Sequence, residues 1–206
     1  MAKESKNEKI ITIILAIVIS LAAITIMYVS LPNESKSNQQ ENNTGGEVPA
    51  EKTILTLIYG DQELEYTLSD LEGMEAYNGS GSQLKIGALP DIIIDGPYDF
   101  TGVRFTTLLS QFEDLPDNYN ITVTSTDNWT NVFTKDQVNG VVSVYNETGN
   151  ITVGPNPIMM LAYKEDGEYI TDDTVGPTRV VFVGENAITS SRLWAKMVSS
   201  IEVTEV

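Results

Sequence analysis

The sequence contains neither cysteine nor histidine among its 206 residues. Without cysteine, the chain has no disulfide, no thiolate metal site and no cysteine nucleophile. Without histidine, it lacks the usual general base and the commonest transition-metal ligand. These absences exclude a zinc site of the usual thiolate or imidazole type and a Ser-His-Asp hydrolase built from this chain alone. We therefore assign no catalytic residue and no metal ligand from the sequence.

Positive charge is also scarce. Residues 53–206 carry 23 Asp and Glu against 7 Lys and Arg, a net charge of about −16. A field of this sign disfavours binding to DNA, RNA or an anionic membrane surface. We expect no nucleic-acid partner, and solubility at an acidic or salty cell surface explains the acidity.

One long apolar segment is present near the N-terminus. Residues 10–31, IITIILAIVISLAAITIMYVSL, contain no charged side chain. A helix of this length spans the ~30 Å hydrocarbon core of a bilayer. Lys3, Lys6 and Lys9 precede the segment, and the positive-inside rule places residues 1–9 in the cytoplasm. The sequence thus predicts a single-pass anchor in the cell membrane, with the rest of the chain outside the cytoplasm.

A cleaved signal peptide is the alternative interpretation of this segment. Such peptides usually have an apolar region of ~7–15 residues and a small-x-small cleavage site. The segment here is longer, and Val29-Ser30-Leu31 is a poor cleavage site. The domain is exported under either interpretation.

Residues 32–52 are poor in apolar side chains and predict a disordered stalk, which leaves residues 53–206 as one domain. Strand patterns dominate that domain, at residues 53–59, 63–68, 91–95, 120–126, 129–134, 141–145, 158–163, 178–183 and 197–203. Ser69-Asp70-Leu71-Glu72 has the spacing of a capping box before a short helix. Residues 105–112 place four apolar side chains on one helical face. Short strands with one or two small helices predict a mainly β, α+β fold.

Asparagine is frequently followed by the glycosylation pattern Asn-x-Ser/Thr. Seven of the fifteen asparagines begin such a triplet, namely Asn33, Asn42, Asn78, Asn120, Asn128, Asn146 and Asn150. About two or three are expected by chance from the Ser and Thr content. Surface glycosylation explains the excess, and turn-forming Asn beside strand-forming Thr is the alternative explanation.

Five motifs in order resemble the oxidoreductase molybdopterin-binding domain family, which has the fold of sulfite oxidase. Residues 96–109, GPYDFTGVRFTTLL, are similar to that family's Gly-Pro-Tyr-x-(Tyr/Phe)-x-Gly-Val-x-Leu-x-x-Leu-Leu segment. The other motifs are Asp127-Asn128-Trp129, residues 157–163 with Gly167, Gly176-Pro177-x-Arg179-Val180-Val181, and Trp194-x-Lys196 through Ile201-Glu202-Val203. Together they cover most of residues 98–203.

The resemblance implies the sulfite-oxidase-like fold, but this chain departs from the family at its metal site. Active members bind molybdenum through a cysteine thiolate upstream of the Gly-Val-x-Leu segment, and an arginine and a histidine help to bind the pterin phosphate and substrate. This chain has neither cysteine nor histidine. No cofactor is evident from the residues themselves, and molybdopterin is implied by the resemblance alone.

Three of the domain's seven positive charges, Arg179, Arg192 and Lys196, lie close together in the sequence. In an acidic domain, such a concentration is typical of a pocket for a phosphate or carboxylate, and these residues are the candidate cofactor-binding site. The alternative is pairing with carboxylates such as Glu185 or Glu202 on the surface.

Three functions are compatible with these features. The first is a membrane-anchored, extracytoplasmic binding or interaction module without redox catalysis, whose partner is a small anionic ligand or an envelope protein. The second is a molybdopterin-dependent oxidoreductase that binds its metal without cysteine. The third is a structural cell-surface glycoprotein. Because fold does not determine function, the choice depends on the geometry of the site.

Overall fold

The computed structural model of the protein describes residues 51–86, 92–171 and 176–206. The predicted anchor, at residues 10–31, and all but the last two residues of the predicted stalk lie outside these ranges. Across the three ranges, no helix has the length and apolar character needed to cross a bilayer.

A five-stranded sheet contains both ends of the domain. Its strands are β1 (Leu55–Tyr59), β2 (Gln62–Tyr66), β5 (Tyr119–Ser125), β6 (Thr130–Thr134) and β13 (Val198–Glu205), in the order β2-β1-β13-β5-β6. The first and last strands pair in parallel, and the other pairs are antiparallel. Alternate residues of β5 are buried, as expected for a strand with one face on a core.

A second, eight-stranded sheet contains the longest strands. Its members are β3 (Ala76–Ile86), β4 (Ile92–Arg104), β7 (Val144–Tyr145), β8 (Ile151–Thr152), β9 (Ile158–Glu165), β10 (Glu168–Tyr169), β11 (Arg179–Val183) and β12 (Ile188–Ser190). The order is β10-β9-β4-β3-β12-β7-β8, and β11 also pairs with β9. All five residues of β11 are buried, in agreement with its nearly continuous apolar sequence.

The helices are short: α1 (Leu68–Gly73), α2 (Phe105–Leu109), α3 (Lys135–Val138) and a 3-10 turn at Ser191–Leu193. The four residues of the predicted apolar helical face, Phe105, Leu108, Leu109 and Phe112, are all buried, although α2 ends before Phe112. They join one hydrophobic core with residues of both sheets. The predicted mainly β fold with few helices is therefore confirmed.

Close backbone approach explains two glycines at the centre of the eight-stranded sheet. A Cβ on Gly102 would lie 2.1 Å from the carbonyl oxygen of Leu161, and one on Gly81 would lie 2.4 Å from that of Phe182. Any side chain at these positions would collide with backbone, so the two strands require glycine there.

Several local predictions differ from the structure. The capping box of α1 is formed by Thr67 and Asp70 instead of Ser69 and Glu72, because the helix begins at Leu68. Asp166-Gly167 forms the turn between β9 and the short β10, a strand that was not predicted. The predicted strand at residues 141–145 is reduced to β7, and β3, β8, β12 and α3 were not predicted.

Candidate functional site

A β-bulge between β3 and β4 forms the centre of the candidate site. Gly81 pairs with Tyr98 and Gln83 pairs with Asp95, so Ser82 lies opposite the cis-linked dipeptide Gly96-Pro97. The backbone N–H of Ser82 turns instead to the carbonyl of Ala187, at 2.8 Å. The bulge thus breaks the regular ladder between two long strands and leaves space beside it.

That space is a cavity of about 790 Å³, which we call the bulge cavity. Three segments that are distant in the sequence surround it: the bulge, the turn after β7 and the loop between β11 and β12. The lining residues are Ser80, Gly81, Ser82, Ile94, Gly96, Pro97, Tyr145, Asn146, Glu147, Gly184, Asn186, Ala187 and Ile188. Small and apolar side chains predominate, and hydroxyl and amide groups lie among them.

The turn after β7 is held by its own side chains. The Oδ1 atom of Asn146 accepts hydrogen bonds from the backbone N–H of Thr148 and of Asn150, both at 3.0 Å, and from the Thr148 hydroxyl at 2.8 Å. The carboxamide oxygen is therefore fully used within the turn. Its NH2 group remains as a donor, at the rim of the bulge cavity.

A polar cluster on β4 lies next to the bulge. The Tyr98 hydroxyl donates to Asp95 Oδ1 at 2.6 Å, and the Lys85 ammonium group donates to Asp95 Oδ2. The hydrogen bond from Lys85, followed by that from Tyr98, holds the pKa of Asp95 below its ordinary value. The pKa of Tyr98 is raised, chiefly because its hydroxyl donates to the Asp95 carboxylate. Asp95 is thus a paired, ionised carboxylate next to the cavity wall.

Arg179 is a buried cation in the same sheet. Its side chain is 5% exposed, and Nη1 donates to Oε2 of Glu165 at 2.5 Å. The guanidinium carbon lies 5.5 Å from the ring centre of Phe100 and 5.3 Å from that of Trp194. Its Nε atom is buried and has no hydrogen-bond partner among the described residues. The partner of Arg179 is thus Glu165, not the Glu185 or Glu202 named as the alternative from the sequence.

The three cations of the candidate anion pocket have different surroundings. Arg179 lines a cavity of about 350 Å³ together with the carboxylates of Glu165, Asp166 and Glu168. Lys196 is a cross-strand neighbour of Arg179 along the backbone, but it lines a separate cavity of about 240 Å³ beside Trp129 and Trp194. Arg192 is exposed on the 3-10 turn. The fold brings the three residues into one region without directing their side chains into one cavity.

Sequence reasoning identified Gly96 and Pro97 within a motif but missed most of the residues that line the bulge cavity. Ser82, Tyr145 and Asn186 belong to no motif, and residues 146–148 were noted only as a glycosylation triplet. Asn186 has a left-handed backbone, with φ of 53°, which indicates a tight loop but does not indicate a ligand site. The only available signal was the pair of glycine-rich segments at residues 79–82 and 96–97.

Comparisons with known proteins give a likeness among solved structures. No family model matches the chain, and no curated protein matches it. The crystal structure of the sulfane dehydrogenase SoxCD from Paracoccus pantotrophus is similar, with a TM-score of 0.52 and 15% identity. The match covers 74% of this chain and 38% of that chain, so this protein spans well under half the length of its structural neighbour. The likeness supports a distant sulfite-oxidase-like fold.

The residues present do not fit a cysteine-ligated molybdopterin. The chain has no cysteine to supply the thiolate. In the three described ranges, no group of three or more His, Cys, Asp or Glu residues is arranged to bind a metal ion. The described lining of the bulge cavity includes Glu147 but no Lys or Arg, so these residues offer a pterin phosphate no counter-charge.

Proposed function

We propose that the protein is a membrane-anchored, extracytoplasmic binding module that uses a sulfite-oxidase-like fold without cysteine-ligated redox catalysis. Its binding site is the bulge cavity. The observation that carries this proposal is a cavity of about 790 Å³ at the bulge between the two longest strands. Ligand pockets typically have ~300–1,000 Å³, and their walls are mostly apolar with a few polar groups.

The walls of the bulge cavity have this character. Ile94, Tyr145 and Ile188 are half-buried and supply apolar surface that a bound molecule would cover. Ser82 is only 6% exposed and places its hydroxyl group at the bulge. Apolar walls supply affinity, while the few hydroxyl and amide groups orient the ligand.

The proposed location follows from the sequence. The apolar segment at residues 10–31 anchors the chain, and the polar stalk at residues 32–52 holds the domain away from the bilayer. A tethered domain with an open cavity is suited to capturing a small molecule outside the cytoplasm.

Blocking the cavity tests the proposal. Ile94 lines it, whereas Ile93, the preceding residue of the same strand, is 53% exposed and points to the opposite face. We expect Ile94→Trp to fill the cavity and Ile93→Trp to leave it open. The probe is dansylamide, an uncharged environment-sensitive fluorophore, titrated against the full chain in a fixed concentration of mild detergent.

The proposal predicts saturable binding of dansylamide, weakened at least about tenfold by Ile94→Trp and unchanged by Ile93→Trp. The fluorescence of dansylamide with Ile94→Trp in the same detergent gives the background from probe that partitions into micelles. Thermal unfolding checks that both variants fold. Tyr145→Ala, which removes one wall without adding bulk, must weaken binding as well. Absence of saturable binding, or equal binding by the wild type, Ile94→Trp and Tyr145→Ala, would refute the proposal.

A further inference from the structure

The charge around the bulge cavity identifies the class of ligand that it accepts. We infer that the cavity binds organic cations, with an ammonium group beside Glu147 and an apolar body against Ile94, Tyr145 and Ile188, and that it discriminates against anions. This inference rests on the proposed function, because it names the ligand class of the same site.

Among the described residues that line the cavity, Glu147 is the only charged one. It lies in the turn after β7, it is exposed, and it forms no ion pair or hydrogen bond with another residue in the described parts of the chain. A carboxylate at the rim of a mostly apolar cavity attracts cations and repels anions, and nearby low-dielectric walls strengthen both effects.

The cations of the domain do not offset this charge. Lys85, Lys164 and Arg179 form ion pairs with Asp95, Glu72 and Glu165. Arg104 and Lys135 lie over the rings of Tyr77 and Tyr119 and do not line the bulge cavity. Arg192 and Lys196 do not line the bulge cavity. The field inside the cavity therefore has the sign of Glu147 and of the acidic domain as a whole.

Oxygen atoms at the bulge add acceptors for N–H groups. The carbonyl oxygen of Gly81 and Oγ of Ser82 each lie 3.0 Å from the position that a Cβ atom on Gly96 would occupy. Because Gly96 has no side chain, no Cβ atom covers these two oxygens. The Ser80 hydroxyl donates its proton to Asp99, which leaves its lone pairs as acceptors. An ammonium group, with donors only, suits this set better than a carboxylate.

The test uses three dansyl probes with one fluorophore and different charges. Dansylcadaverine is a cation, dansylamide is neutral and dansylglycine is an anion at pH 7. Each is titrated into the full chain in detergent at about 0.15 M salt, which screens charges beyond ~8 Å. We expect dansylcadaverine to bind about tenfold more tightly than dansylglycine, with dansylamide between them.

Two matched variants assign this preference to one residue. Glu147→Gln removes the lining charge, and Glu185→Gln removes one exposed charge in a loop residue that does not line the cavity. We expect Glu147→Gln to bring the ratio of cation to anion affinity close to one and Glu185→Gln to preserve it. Equal loss of the ratio in both variants would mean that only the net charge of the domain acts, and would overturn the inference.

The two proposals fail in different ways. If dansylamide binding is abolished by Ile94→Trp but dansylglycine binds as tightly as dansylcadaverine, the binding site stands and the cation preference is wrong. If no probe binds in a manner sensitive to Ile94→Trp, the binding site itself is wrong.

Discussion

In the part of the chain that the structure describes, Glu165 is the acidic side chain that pairs with the buried guanidinium group of Arg179, through a hydrogen bond of 2.5 Å between Oε2 and Nη1. The two partners differ in their access to water: the Arg179 side chain is 5% exposed and that of Glu165 is 28% exposed. A hydrated carboxylate tolerates the loss of its partner better than a buried cation does. Removing the carboxylate of Glu165 should therefore destabilise the protein more than removing the charge of Arg179.

We predict that Glu165→Gln lowers the free energy of unfolding by about 1–3 kcal/mol, because it leaves a buried charge without its counter-ion. Arg179→Met replaces the cation with an apolar side chain of similar length between Phe100 and Trp194, and should cost less. Denaturant unfolding of the full chain measures both. Glu168→Gln, at an exposed neighbour lining the same small cavity, is the control and should stay within about 0.5 kcal/mol of the wild type. A larger loss in Arg179→Met than in Glu165→Gln would contradict this account.

Asp95 gives the protein a predictable response to acid. Because the pKa of Asp95 is lowered in the folded protein, its ionisation stabilises the fold above the ordinary carboxyl pKa of ~3.9. This stabilisation is lost as the pH falls through the lower, folded-state pKa. We expect the melting temperature of Asp95→Asn to lie below that of the wild type at pH 7, and the difference to shrink as the pH falls below about 4.

Thermal unfolding between neutral and acidic pH checks this. Tyr98→Phe removes one of the two hydrogen bonds to Asp95 and keeps that of Lys85, so it should give a smaller difference with the same sign. A difference between Asp95→Asn and the wild type that is constant over the whole pH range would argue against a lowered pKa.

The capping box of α1 supports a third prediction. Thr67 Oγ1 accepts from the backbone N–H of Asp70 at 3.2 Å, and the Asp70 carboxylate accepts from the backbone N–H of Thr67 at 2.8 Å. Thr67→Ala should therefore destabilise the protein by about 1 kcal/mol. Ser69→Ala, at the position that the sequence pattern favoured as the cap, should change stability by less than about 0.5 kcal/mol. If the order of these two effects is reversed in denaturant unfolding, the cap is at Ser69.

The sequence predicts elements whose signal is local. The strands predicted at residues 120–126 and 129–134 correspond to β5 and β6, which pair as a hairpin, and alternate residues of β5 are buried. Phe105, Leu108 and Leu109 repeat with helical spacing and form α2. In both cases the pattern arises within one element and needs no knowledge of its neighbours.

The strand β3 was missed because its glycines are required by contacts with a neighbouring strand, whereas its composition resembles that of a loop. Its sequence, AYNGSGSQLKI, has the glycine and serine content of a loop. In the structure, a Cβ on Gly79 would lie 2.8 Å from a methyl group of Val183, and Gly81 packs against the backbone of Phe182. These contacts with β11 explain the glycines. The contacts join residues far apart in the chain, so no local sequence pattern predicts them.

The bulge cavity was missed for a related reason. Ser82, Tyr145 and Gly184 meet there although about 40 to 60 residues separate each from the next along the chain. Only the parallel pairing of β12 with β3, together with the antiparallel pairing of β7 with β12, brings the three segments together. The charge pattern alone favoured the cations near the C-terminus as an anion-binding site. It did not show that Arg179 pairs with Glu165.

The central claim, that the domain binds an organic ligand without a thiolate-ligated redox centre, is tested most directly by native mass spectrometry of the chain purified from its own cells. Our account predicts the mass of the chain, with any glycans, plus an organic adduct whose isotope pattern contains neither molybdenum nor tungsten. A pterin adduct that carries either metal at one per chain would contradict it.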